Sequence, residues 1–132
     1  MITLAMVAGA AATGEAQRPT TAKPPEGTRI CDMSLRVVTM RVVDRQGVAV
    51  PDAKVTMRRV RTRVEIAGAE AMSGGEYKLL VDGTIPDLRP GGEPFDVTFR
   101  KGARSRRVRV MIGLDEGGCH VRFVIEPKKV VL

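Results

Sequence analysis

The sequence predicts an all-β protein, a seven-stranded antiparallel β-sandwich, and three observations lead there. After residue 30 the apolar residues recur with period two, the spacing that gives a strand one dry face and one wet face. Turn formers punctuate these runs at short intervals: Gly68, Ser73-Gly74-Gly75, Asp82-Gly83, Pro90-Gly91-Gly92, Lys101-Gly102 and Gly117-Gly118. No stretch of this part sustains a helical period over three turns. Short strands at such spacing bury a core by stacking two sheets.

The elements follow in order. Residues 35–44 ("LRVVTMRVVD") and 53–60 ("AKVTMRRV") have the length and β-branched content of strands. In the second, Ala53, Val55 and Met57 alternate with Lys54, Thr56 and Arg58. Residues 61–66, 76–81, 95–101, 106–112 and 120–126 complete the seven. Tyr77, Leu79 and Val81 form one inward set, and Phe95, Val97 and Phe99 another. In the last run His120, Arg122 and Val124 alternate with Val121, Phe123 and Ile125, which points His120 outward to solvent.

Between the first two strands lies "VVDRQGVAVPDAKVTM", residues 42–57, either a loop with two catalytic acids or a corner. Gly47 can take positive φ, and Pro51 has no N–H to give to a ladder. Ala53 is small where the chain crosses close to a neighbour. Asp44 and Asp52 are short acids suited to bonding local backbone N–H groups. General acid–base work would need a cleft, a raised pKa and a nucleophile. The corner is the better reading.

These residues resemble a known family. Asp44, Gly47, Pro51, Ala53 and Val55 match the D-x-x-G-x-x-x-P-x-A-x-V signature of carboxypeptidase regulatory-like domains, and Gly75 and Tyr77 match their G-x-Y turn. The resemblance covers residues 34–126 and implies a transthyretin-like, Ig-like sandwich over 31–132. It further implies a non-catalytic module of secreted or envelope proteins. The hydrolase branch of the transthyretin-like group relies on several His and Arg residues and a Tyr-Arg-Gly-Ser sequence. This chain has one His and no such tetrapeptide, so hydrolase activity is the weakest alternative. Residues 82–94 ("DGTIPDLRPGGEP") form a longer excursion than the family pattern, the place where a ligand-specific feature is expected.

The compartment is read from residues 1–16, in which an uncharged, apolar or small run (1–13) is followed by the small-x-small pattern Gly14-Glu15-Ala16 of a signal peptide. The run is too short for a transmembrane span. No Lys or Arg precedes it, so either the true start lies upstream or the signal is a weak one; an Ala-rich tail is the alternative. Residues 17–30 are a polar, Pro-rich linker. Cys31 and Cys119 stand 88 positions apart, which excludes CxxC redox and clustered zinc chemistry. In a secreted or periplasmic protein such a pair reads as one disulfide; without export it is two buried thiols. In sandwiches of the class that the resemblance implies, the first and last strands run parallel as neighbours, which would bring the two positions together.

Function is legible mainly by exclusion. His120 has no partner for a metal site, and Ser34, Ser73 and Ser105 lack any nucleophile context, so no catalytic residue, metal or cofactor is expected. Net charge is +7, and sixteen of the 22 basic residues are arginine. Arg58, Arg59, Arg61 and Arg63 crowd one run, while Arg104, Arg106, Arg107 and Arg109 crowd another; together they form the expected anionic-ligand face. Aromatics make up only 3% of the chain and are not interleaved among these arginines, which argues against nucleic acid as partner. An anionic glycan, a lipid or an envelope protein fits an exported domain better. The reading is therefore a binding or adaptor module, with a purely structural accessory domain as the alternative. If residues 1–16 are a signal, N-terminal sequencing of protein from its native host should find a chain beginning near Gln17. Recovery of an intact Met1 would overturn that expectation.

Overall fold

The computed structural model describes residues 31–132, and the signal and linker expectations for 1–30 lie outside them. Asp32–Leu132 forms one compact unit without helix, built of nine strands. These are β1 (Val37–Val43), β2 (Lys54–Arg59), β3 (Val64–Ile66), β4 (Glu70–Ala71), β5 (Glu76–Val81), β6 (Glu93–Lys101), β7 (Arg104–Leu114), β8 (Val121–Phe123) and β9 (Val130–Val131). They make a four-stranded sheet, β4-β5-β1-β9, and a five-stranded sheet, β3-β2-β6-β7-β8. The apolar faces of both sheets meet in one core, where Tyr77 of β5 packs edge-on against Phe99 of β6, ring centroids 5.2 Å apart.

The expected count of seven strands is corrected to nine among the described residues. β4 and β9 are two residues each, too short to display an alternation. The expected last strand, 120–126, is also cut short. Its pairing with β7 ends after Val124 donates to the Met111 carbonyl, and beyond Pro127 the chain joins the other sheet as β9. β9 runs parallel to β1, pairing Val130 with Val42 and Val131 with Val43, the one departure from antiparallel strand pairing among the described residues. Within β5 the register against β1 slips between Val38 and Thr39, so Leu79 and Leu80 are both buried and Val81 only half so. The simple Tyr77–Leu79–Val81 alternation fails at this bulge.

The connection between β1 and β2 carries the chain from one sheet to the other. The Asp44 carboxylate accepts from the Gln46 and Val48 N–H groups at 2.8 and 2.9 Å, closing a turn in which Gly47 has φ +84°. Val50 then donates to the Val42 carbonyl, while Val42 donates to the Gly75 carbonyl. Pro51 and Asp52 turn outward, Asp52 reaching Lys101 at 2.9 Å instead of local backbone. The Tyr77 hydroxyl, fully buried, donates to the Val50 carbonyl at 2.5 Å and accepts from the Ala53 N–H at 2.9 Å. Val55 follows on the inner face of β2. The corner is thus a closed set of backbone bonds between the two sheets.

Both cysteines are disulfide-bonded, and as the chain holds no others they bond to each other. The first and last strands do run parallel as neighbours, as β1 and β9, but the strand that follows Cys119 is β8, which lies in the other sheet. Asp82 supplies the proximity: its carboxylate accepts from the N–H of Arg36 at 2.9 Å and of Val121 at 2.7 Å, tying the segment after Cys31 to the segment after Cys119.

The corner makes a graded prediction. A Cβ on Gly47 meets nothing within 4 Å, so Gly47→Ala should cost about 1–2 kcal/mol through its left-handed backbone alone. A Cβ on Gly75 (φ +86°) would lie 2.9 Å from the Ala49 Cβ and 3.1 Å from the Val42 carbonyl oxygen, so Gly75→Ala should cost about 1–3 kcal/mol more. Tyr77→Phe should cost about 1–3 kcal/mol by stranding a buried carbonyl and N–H. Denaturant unfolding measures all three, and equal losses for the two glycines would show that the Ala49 contact relaxes away.

Candidate anion-binding cleft

The eight arginines of the expected face are distributed over three places. Extending the alternation of β2 by one step puts Arg59 on the core side with Val55 and Met57, and it is 6% exposed. Its guanidinium bonds both carboxylate oxygens of buried Glu93, at 2.6 and 2.7 Å, and Asp87 at 3.0 Å. Arg61 adds a contact to Asp87 at 3.1 Å and one to Glu93 at 3.6 Å. Arg59 holds the Glu93 carboxyl below its usual range against the opposing effect of burial. Truncating one partner of such a pair strands the other charge, at a typical cost of about 3–5 kcal/mol. Arg59 is thus committed to the interior and Arg61, though exposed, to the same acids, and both are withdrawn from the ligand face.

Arg58, Arg107 and Arg109 stand on the outer face of the five-stranded sheet. There Arg109 is paired with Asp96 at 2.8 Å, and Arg58 lies opposite Glu65 in the register. Arg63 takes φ +61° in the turn before β3, where its carbonyl accepts from the Arg58 Nε. The excursion at 82–94 also points inward chemically: Leu88 is buried, Asp87 and Glu93 hold Arg59, and Asp82 clamps two segments.

Arg104 and Arg106 sit on the opposite face of the β6–β7 hairpin from Arg107. The register pairs Arg104 with Lys101 and Arg106 with inward-facing Phe99. Together with Arg45, Ala103, Ser105, Val131 and Leu132 they line an open cleft of about 390 Å³. The turn closed by Asp44 presents Arg45 to it, the hairpin end presents Arg104 and Arg106, and β9 supplies an apolar floor. Arg104 donates to the main-chain oxygen of Leu132 at 3.3 Å, a bond that uses one of its five guanidinium N–H groups. Two other clefts, of about 260 and 230 Å³, mix arginine or lysine with Glu65 and Asp96, or with Glu76 and Glu126. The 390 Å³ cleft is lined by three arginines and by no Asp or Glu side chain. The sequence reading missed Arg45, because as the second residue of a turn it had only a local role; its approach to the hairpin is a product of the fold.

His120 is placed differently from its expected outward position. It lies before the first residue of β8, where strand alternation does not hold, and it is 6% exposed. Its Nδ1 is 2.5 Å from Asp82 and its Nε2 is 3.1 Å from Asp32. With a carboxylate on each nitrogen both ring positions donate, which is the imidazolium form. The Ser34 hydroxyl bonds Asp32 and does not bond the imidazole, so the group is an ion chain. Among the described residues no group of three His, Cys, Asp or Glu side chains has metal-binding geometry, and no helix is long and apolar enough to cross a membrane.

A scan against protein-family models and searches of curated proteins and of solved structures match nothing to this chain. The corner signature and its geometry therefore stand on this chain's own residues.

The His120 arrangement has a pH consequence. Its pKa is raised above the ordinary imidazole value chiefly by the bond to Asp82, partly opposed by burial. A raised folded value contributes stability that is full below the unfolded pKa, about 6.5, and is lost as pH rises through the folded value. Asp82 is held below its usual range: burial opposes ionisation, but the His120 bond and the Arg36 and Val121 N–H groups outweigh it. Its contribution is lost only as pH falls below about 4. The melting temperature should therefore decline as pH is raised from about 6, and His120→Gln should flatten that decline. Titration of the His120 ring proton by NMR should give a midpoint above the ordinary value; a midpoint at or below it would refute the ion chain.

Proposed function

We propose that the chain is a non-catalytic binding module of the exported, carboxypeptidase regulatory-like type, whose ligand is an anion held in the cleft of Arg45, Arg104 and Arg106. One observation carries the reading: three guanidiniums line a concave site that has no Asp or Glu side chain, while Arg59, Arg61 and Arg109 are neutralised by carboxylates. Holding like charges together costs free energy in the empty protein, and a bound anion relieves it. Arginine's planar fork suits carboxylate, sulfate or phosphate through paired hydrogen bonds. The family resemblance of the Asp44–Tyr77 corner supports a scaffold role for the sandwich, and the disulfide is compatible with an extracellular place of work.

Titration with galacturonate, followed by NMR, should give saturable shifts at the amides of Arg45, Ala103 and Ser105. Arg104→Ser combined with Arg106→Ser should weaken binding by about tenfold or more, roughly 1.4 kcal/mol. Arg122→Gln, an exposed arginine away from the cleft, should not. Equal loss from both variants, or no saturable shift, would refute the assignment.

A further inference from the structure

The uncompensated charge does not stop at the cleft. On the outer face of the same hairpin end, Lys54, Arg100 and Ser105 lie in one row of the register, and Thr56, Thr98 and Arg107 in the next. Among the described residues Lys54, Arg100 and Arg107 have no ion pair, as is true of Arg45, Arg104 and Arg106 on the cleft side. The nearby acids are engaged by other cations: Asp96 shares a cleft with Arg107 but is bonded by Arg109, and Asp52 is taken by Lys101. The end of one hairpin, turning at Gly102 and Ala103, thus carries Arg100, Arg104, Arg106 and Arg107, and with Arg45 from the turn before β2 and Lys54 from β2 this makes three cations on each side without an Asp or Glu ion pair.

We propose that the ligand is a linear acidic polysaccharide that enters the cleft at Arg45, Arg104 and Arg106 and passes over the hairpin end to Lys54, Arg100 and Arg107. This rests on the anion-binding reading of the cleft and names the class of molecule that fills it. Side chains two apart on a strand stand about 6.5–7 Å apart on one face, while neighbours in sequence point to opposite faces. A single small anion reaches one face only, and a flat lipid surface likewise meets one face at a time. An extended chain with a charge on successive units can follow both.

The placement of the aromatics argues against a neutral glycan or a nucleic acid as that extended chain. Tyr77, Phe95 and Phe99 are fully buried, and Phe123 is packed against the core. The protein therefore has no fully exposed aromatic ring to serve as a stacking platform for a neutral pyranose or a nucleobase. Recognition falls to guanidinium–carboxylate or guanidinium–sulfate pairs, which a uronic or sulfated saccharide supplies without stacking.

The full chain is titrated calorimetrically with galacturonate, with short and long oligogalacturonates, with neutral maltodextrin and with a single-stranded oligonucleotide of matched charge. Measurements are made at about 50 and 200 mM salt, because release of counterions from a polyanion steepens the salt dependence with each contact. The long oligomer should bind at least about tenfold more tightly than the monomer and lose more affinity with salt. Arg100→Ser with Arg107→Ser should bring the long oligomer's affinity down toward that of the monomer, and circular dichroism checks that the strands persist. A long oligomer no tighter than the monomer, or one indifferent to the Arg100 and Arg107 changes, would overturn the path over the hairpin while leaving the cleft as a small-anion site. Maltodextrin or the oligonucleotide binding as tightly as the long oligomer would overturn the ligand class. Absence of binding by every anion would overturn the cleft reading itself.

Discussion

The Tyr77 hydroxyl sits where the chain leaves one sheet for the other, and much of the architecture depends on its two hydrogen bonds. It belongs to β5 in the four-stranded sheet, but its partners, the Val50 carbonyl and the Ala53 N–H, flank the Pro51-Asp52 crossing into β2. Pro51 has no N–H to offer, so the carbonyl before it and the N–H after it would be orphaned in the interior without a side-chain partner. Once they are satisfied, the start of β2 is fixed, and with it which residues of β2, β6 and β7 face inward. The same tyrosine packs on Phe99 of β6 and sets the contact between sheets where the core is aromatic.

Charge is handled by sorting. The chain is strongly basic, and several of its acids serve a buried cation or close a turn, while others pair with cations on the surface. Glu93 and Asp87 serve Arg59, Asp82 and Asp32 serve His120, and Asp44 and Asp115 serve backbone N–H groups. These uses follow from the cost of burying a charge or a donor without a partner. The residual positive charge is densest at an exposed hairpin end, where water solvates it and a ligand can reach it.

The disulfide and the Asp82 clamp act on the same region by different means. Bridging positions 88 residues apart removes denatured-state entropy worth roughly 4–5 kcal/mol in the chain-entropy treatment, an upper figure because native strain subtracts from it. Asp82 adds hydrogen bonds to Arg36, Val121 and His120 in the folded state. One works by limiting the unfolded chain and the other by specific contacts.

The sequence by itself determined the all-β class, the position of the corner and most inner faces, because these are local: period two, a turn glycine and a proline are legible from neighbouring residues. The 76–81 strand has the bounds expected of it, and Phe95, Val97 and Phe99 lie on the buried face. β4 and β9 were illegible because two residues held by pairing alone carry no pattern. His120 was misplaced because its burial is due to two carboxylates, 38 and 88 positions away, that no period reveals. The arginine face was divided for the same reason. Which arginine meets an acid, and that Arg45 comes to stand beside Arg104 and Arg106, are decided by strand register and by the crossing between sheets, which only the tertiary structure sets.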